Sequence, residues 1–420
     1  MDKYFPIKTA TACQLKWNWS TVYLYSGETA SCHRTGHSKI TPETFDTFHN
    51  TEKKQAERRR MLDGQWPEDV SCNYCQEIEQ SGGSSDRIRQ LGIPNQSPPE
   101  LESDPTAVVI QPTVLEIFFN NQCNLSCVYC SPHLSSKINA EYVKHGRFEK
   151  NGLILQSRPI DSMYPAMLEK FWDWMNQHST GLVRFTVAGG EGFYQPELET
   201  CLEYFESSNH PNLEFCIITN LTLPPEKLEK YIKRFKKLVA SRRLKRIDLT
   251  CSIDCLGVEQ EYTRYGMKVD AWIANFERLL EEPWITLHIN QTISVLTIKT
   301  MPGLIEKIKA WKARREIGHF FSLVIPDPVQ MTTYLIPNIL GGKVFEEDFK
   351  HILELMPQDT NEDLLSFQYM EGIVKHYSQS TPVYSEMLKL KTFLDENDRR
   401  RGTSWAKTFP WLVKELEHVV

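Results

Sequence analysis

Between residues 114 and 326 the chain alternates short runs of β-branched and aromatic residues with stretches whose apolar positions recur every three or four residues. The short runs, at 114–119, 182–188, 213–219, 246–253, 286–296 and 319–325, are predicted strands. Between them, Ile160, Met163, Met167, Phe171 and Met175 trace one amphipathic helix, and Leu228, Ile232, Phe235 and Val239 trace another. Strand–helix alternation predicts an α/β fold with a parallel sheet and right-handed crossovers. Six such units are too few for a closed eight-stranded barrel, so the expectation for residues 111–330 is a partial (β/α)6 barrel. Residues 331–420 read as a helical C-terminal extension that runs to Phe409-Pro410-Trp411-Leu412. Residues 1–90, with strand-like aromatic runs between Cys13 and Tyr25, are expected to form a small N-terminal domain. The stretch from Ser81 to Pro105, rich in Ser, Gly, Pro and Gln, reads as a linker, placed at 91–110 in the domain plan. No internal repeat is visible.

The bulk composition narrows the function class. With 420 residues, 40% hydrophobic and 24% charged, the chain can bury a large core in two or three domains. A net charge of −6 argues against a general nucleic-acid binder. The basic run from Lys227 to Arg246 reads as the solvated face of an outer helix, with cations toward its C-terminal end. The first residues hold no apolar stretch of signal-peptide length, and no later run approaches membrane-spanning length, so a cytoplasmic protein is expected.

Eleven cysteines in a reducing compartment point to metal or redox chemistry. Cys201, Cys216, Cys251 and Cys255 sit in or beside apolar stretches and read as core residues. The other seven fall into two groups.

The first group, Cys123, Cys127 and Cys130, lies in one loop directly after the first predicted strand. Three thiolates can hold three irons of a cubane cluster and leave the fourth iron open for a chelating small molecule. A zinc site is the alternative, with His133 as fourth ligand. The Cys-x3-Cys-x2-Cys spacing after the first strand resembles the radical S-adenosylmethionine superfamily. The resemblance implies a [4Fe-4S] cluster on these cysteines, S-adenosylmethionine on the open iron, and reductive cleavage to a 5′-deoxyadenosyl radical. It implies that Tyr129 lies near the adenine. Gly189-Gly190-Glu191 at the second strand end resembles the family's Gly-Gly-Glu motif, which meets the methionine amino group. Thr219 and Asn220 at the third strand end, Ser252 at the fourth, and Arg264 just beyond it are the implied contacts to ribose and carboxylate. No hydrogen donor or base is identified.

The second group is Cys13, Cys32, Cys72 and Cys75, arranged Cys-x13-Gly-x4-Cys with a later Cys-x2-Cys. Four thiols saturate a cluster and leave no open iron. This spacing resembles the twitch domain, the short form of the auxiliary-cluster SPASM domain, with Gly27, Ser31-Cys32-His33-Arg34, Met61-Leu62-Asp63-Gly64, Glu79, Ser85 and Arg87 around it. In that family the domain usually follows the barrel; here it precedes it. The residues alone also fit a structural zinc knuckle.

Together the resemblances imply a radical enzyme with an auxiliary [4Fe-4S] cluster in electron transfer, acting on a ribosomally made peptide or protein side chain. A sugar or aminocyclitol dehydrogenase or epimerase, an RNA-modifying enzyme and a non-catalytic zinc module stay open. A flavodoxin or ferredoxin is the expected reductant; membrane and nucleic-acid partners are not expected.

Overall fold

The computed structural model describes residues 5–32, 35–69, 72–80, 85–91, 96–158, 162–323 and 333–419. Its main sheet is built from β1 (Trp19–Tyr23), β2 (Glu28–Ala30), β3 (Ser38–Lys39), β4 (Val114–Phe118), β5 (Arg184–Ala188), β6 (His210–Thr219), β7 (Leu244–Ser252), β8 (Ile285–Ile293) and β9 (Gly318–Leu323). The order across the sheet is β9-β8-β7-β6-β5-β4-β1-β2-β3. The strands β4 to β9 are parallel neighbours in chain order, the arrangement expected for a (β/α)6 unit. All six predicted strands are present; Ile325, the predicted end of the last, lies outside the described residues. Their runs follow from burial on both faces: the consecutive residues Phe215, Cys216 and Ile217 on β6, and Ile247, Asp248 and Leu249 on β7, are all buried.

The crossovers are helices Tyr164–His178, Pro196–Ser207, Pro225–Ala240, Val269–Leu280 and Met301–Lys312. The first buries Met167, Phe171, Trp174 and Met175 and begins at Tyr164, where Pro165 suits a first turn that needs no amide donor. Ile160, placed in this helix from its periodicity, lies outside the described residues. Helix Pro225–Ala240 carries the basic run and uses it locally. Arg234 pairs with Glu206 at 2.7 Å and with Glu199, while Lys227 donates to the Phe193 carbonyl at 2.7 Å.

Strands of the N-terminal region join the main sheet. β1 pairs parallel with β4, Trp19 opposite Val114 through Tyr23 opposite Phe118, so β1 to β3 continue the barrel sheet at its edge. Residues 14–18 form a one-turn helix instead of a strand, with all five residues buried and the Lys16 amide donating to the Cys13 carbonyl at 2.9 Å. The stretch read as a linker is pinned where it is described. Arg87 donates to the Ala12 carbonyl at 2.6 Å, Trp17 to the Ala107 carbonyl at 3.0 Å, and Asn18 to the Gln96 side chain at 3.2 Å.

The C-terminal helices Glu346–Leu355, Asn361–Tyr377, Tyr384–Arg401 and Pro410–Leu416 share a second apolar core with Val128, Tyr142 and Ile293. Among the described residues no helix is long and apolar enough to cross a membrane.

Candidate active site

The loop after β4 is held by its own backbone before any ligand is considered. Asn120 accepts from the Gln122 amide at 2.8 Å, Ser136 accepts from the Cys123 amide at 3.1 Å, and the Ser136 amide donates to the Asn121 carbonyl at 2.6 Å. Ser135 caps helix Ser136–His145 and donates to the Leu125 carbonyl at 2.8 Å. A two-residue bridge pairs Ser126–Cys127 with Arg264–Tyr265, placing Arg264 opposite Cys127. Cys123, Cys127 and Cys130 are thereby brought within electrostatic reach of one another.

Burial pushes the Cys123 thiol up to about 12 and raises Cys127 and Cys130 as well; the neighbouring thiolates add to the rise at Cys123 and Cys130. As bare thiols all three are protonated, and a metal centre would take them as thiolates with release of protons. As they stand, among the described residues no three His, Cys, Asp or Glu side chains are close enough to hold one metal ion. His133, the fourth ligand a zinc reading needs, faces Glu28 on β2 at 3.8 Å and packs its ring on Tyr25 at 4.9 Å. Three soft thiols without that fourth donor suit an iron–sulfur cluster with one open iron.

Gly189 and Gly190 are required by this loop. Both have positive φ, and a Cβ on Gly189 would stand 2.2 Å from the Phe118 ring, one on Gly190 2.2 Å from the Gln122 carbonyl oxygen. The Glu191 amide donates to that same carbonyl at 2.8 Å, so the end of β5 is seated against the residue preceding Cys123.

Glu191 itself is buried. It accepts from the Thr219 hydroxyl at 2.5 Å, the Asn220 amide at 2.5 Å and the Phe193 amide at 3.1 Å, latching β5 to β6. Burial raises its pKa against the pull of these donors. Asn220 also donates to Asn124 at 2.8 Å, reaching back between Cys123 and Cys127. Glu191, Thr219 and Asn220 thus form a frame under the loop.

Past β7, Asp254 gathers the remaining candidates. Its carboxylate takes a bidentate pair from Arg264 at 2.8 Å each, the Tyr129 hydroxyl at 2.7 Å and the Thr292 amide at 2.9 Å. Arg264 also lies over the Tyr129 ring at 5.4 Å. Gln291 donates to the Asp254 carbonyl at 2.7 Å, and Ser252 ends β7 opposite Asn290. Asp254 was not singled out from sequence. Its signal was modest: an acidic residue two positions past a strand end and ten before an arginine.

The cluster loop, the Gly-Gly-Glu end of β5 and the Asp254–Arg264 pair all fall within residues 117–282, the stretch that matches the profile of the radical SAM superfamily. Residues 117–282 are a radical SAM domain. Cys123, Cys127 and Cys130 lie within that domain. No curated protein matches the chain. Among solved structures, native anSMEcpe with bound AdoMet shares 15% identity at a TM-score of 0.33, covering 70% of this chain and 67% of that one. The same protein with AdoMet and the Kp18Cys peptide shares 14% at a TM-score of 0.35, with coverage of 70% and 67%. TYW1 with a lysine–pyruvate adduct shares 13% at 0.25, over 56% of this chain and 68% of that one. Scores this low decide nothing beyond the domain match.

The cysteine quartet lies outside the radical SAM domain match. Cys13 precedes helix Gln14–Asn18, Cys32 follows β2, and Cys72 and Cys75 begin helix Asn73–Gln80. Burial pushes the Cys13 thiol up to about 12, and Cys32, Cys75 and Cys72 lie within electrostatic reach of it and raise it further, although as they stand no three of the four are close enough to hold one metal ion. Gly27 allows this approach. Its φ is +60°, and a Cβ there would stand 2.7 Å from the Ile40 carbonyl oxygen, whose own amide donates back to Gly27 at 2.8 Å. Glu79 anchors the helix that carries Cys75 by accepting from Ser85 at 2.5 Å and Arg87 at 3.0 Å. His33 and Arg34 lie outside the described residues.

Proposed function

We propose that the chain uses S-adenosylmethionine, bound through the cluster of Cys123, Cys127 and Cys130, to abstract hydrogen from a peptide or protein side chain, with an auxiliary [4Fe-4S] cluster on Cys13, Cys32, Cys72 and Cys75 carrying electrons. The observation that carries the reading is the three-cysteine loop at the strand ends, fixed by Gly189, Gly190 and the Asp254–Arg264 pair within the radical SAM match. When bound to the reduced cluster, the cofactor supplies a 5′-deoxyadenosyl radical. The chain's own part is to hold three thiolates on one rigid loop, keep water out and position the cofactor. Tyr129 and Arg264, locked onto Asp254, present an aromatic face and a guanidinium beside that loop; Ser252 and the backbone of Gly189 and Gly190 lie at neighbouring strand ends. The peptide class rests on the twitch-like spacing of the quartet. A flavodoxin- or ferredoxin-type protein is the proposed reductant.

Anaerobically reduced protein should cleave S-adenosylmethionine to 5′-deoxyadenosine and methionine, and replacement of Cys123, Cys127 and Cys130 by Ala should abolish this. Cleavage that persists in the triple variant overturns the assignment of that loop.

A further inference from the structure

The cysteine quartet stands over an unusual surplus of buried positive charge. Lys16 lies one turn after Cys13, is 2% exposed, and pairs with the buried Glu57 at 2.6 Å. Arg58, fully buried, donates to the carbonyls of Lys16 at 2.6 Å, Val108 at 2.7 Å and His49 at 2.8 Å, and to Asn50 at 2.9 Å. Lys54 is buried as well, its ammonium held by the Ser20 and Thr29 hydroxyls and the Ala30 and Phe48 carbonyls. Carbonyl, hydroxyl and amide oxygens and the His49 ring thus satisfy the hydrogen bonds of Arg58 and Lys54 without a carboxylate. Burial and the neighbouring cations lower the pKa of Lys54, and burial lowers that of Arg58; with Lys54 set aside, Lys16 and Arg58 still stand as two cations beside the one carboxylate of Glu57. Leaving a cation buried without a counter-charge is strongly unfavourable. Cys72 and Cys13 act on Lys16 alongside Glu57, and the Lys16 amide donates to the Cys13 carbonyl at 2.9 Å.

We propose that Lys16 is the built-in counter-charge of a metal–thiolate centre on Cys13, Cys32, Cys72 and Cys75, and that it raises the reduction potential of that centre. The inference rests on the auxiliary-cluster reading above. A cluster held by four thiolates is anionic and gains a further negative charge on one-electron reduction, here from the flavodoxin- or ferredoxin-type donor. A fixed ammonium in a low-dielectric site favours the more negative state. Glu57, on the far end of the ion pair, works in the opposite sense. Lys16 is a positioning residue: it touches no reacting atom.

The test uses full-length protein in which Cys123, Cys127 and Cys130 are Ala, so that the quartet is the cluster site under observation. Its potential is followed by redox titration with paramagnetic resonance detection, alongside metal analysis. Lys16→Met should move the midpoint to more negative potential at unchanged iron content, Lys16→Arg should restore it, and Glu57→Gln should move it to more positive potential. A merely structural role gives no such opposed signs. If Lys16→Met fails to fold, Lys16→Arg and Glu57→Gln still carry the test, since both keep a cation at the site. Unchanged potentials with iron retained, or shifts of one sign for Lys16→Met and Glu57→Gln, overturn the proposal alone. Zinc in place of iron in the parent overturns the auxiliary-cluster reading together with it.

Discussion

Cys123, Cys127 and Cys130 share one short loop, whereas Cys13, Cys32, Cys72 and Cys75 are drawn from three separate places in the first eighty residues. The loop is fixed by hydrogen bonds to Ser136, Thr263 and the end of β5, none of which involves a thiol. The quartet is tied at separate points: at Cys13 and the Gly27 hairpin, at Asp69, which pairs with Lys53 at 2.5 Å and accepts from the Cys72 amide at 2.9 Å, and at Glu79 through Ser85 and Arg87. A site meant to exchange a small molecule at an open iron gains from a scaffold that stands without the metal. A site meant to be closed can let the metal do part of the folding.

The largest difference should appear when the thiols are removed. Replacing Cys123, Cys127 and Cys130 by Ala should cut iron from about eight per chain to about half and leave the proteolytic pattern unchanged. Replacing Cys72 and Cys75 should open the segment around residues 72–91 to limited proteolysis. If the triple variant is the one that becomes protease-sensitive, the contrast is wrong.

Asp254→Ala should come next, because it leaves the buried Arg264 without its carboxylate. Breaking a buried pair in this way typically costs about 3–5 kcal/mol, to be read in denaturant unfolding. Cofactor cleavage should fall with it, and the quartet's iron should stay. Gly190→Ala is a smaller change, on the order of 2 kcal/mol, since the new methyl must displace the Gln122 carbonyl at a positive-φ position. Iron should be lost selectively from the barrel loop.

The smallest effect concerns the weld between the two regions. Glu28 accepts from Ser26 and pairs with His37, Lys39 and, across the interface, His133. Against the upward push of burial, hydrogen bonds from His37, Lys39 and Ser26 hold its pKa down to about 2, from an unperturbed value of 4.5. A lowered pKa stabilises the fold above the unfolded value and loses that contribution as pH falls through the folded one. Glu28→Gln should therefore cost on the order of 1 kcal/mol at neutral pH, after allowance for solvent screening. The melting curves of variant and wild type should converge as pH drops from 4.5 toward about 2. A gap that persists at low pH would assign the loss to packing.

Much of this was legible in the sequence because it is local. The six parallel strands announce themselves as short apolar runs between amphipathic helices, and the cysteine triplet and Gly-Gly-Glu are contiguous. What escaped is pairwise and distant. Nothing in Ala188-Gly189-Gly190 names Gln122 as the group a side chain would strike. Nothing near Arg264 says that its guanidinium is spoken for by Asp254, or that Glu191 spends its oxygens on β6. The docking of β1 onto β4 was missed for the same reason: strand registers across long loops leave no periodic trace. Helix Gln14–Asn18 reads as strand because Leu15, Trp17 and Trp19 alternate with Gln14, Lys16 and Asn18 at strand period.

The pairing of β1 with β4 also fixes an order of events during synthesis. The N-terminal hairpin leaves the ribosome first, yet the strand that completes it is made only when Val114 to Phe118 emerges. Until then one edge of β1 offers unpaired amides and carbonyls to any passing strand. Nascent chains arrested short of Val114 should therefore be the sticky species, and slow elongation through residues 24–113 the condition that most favours aggregation.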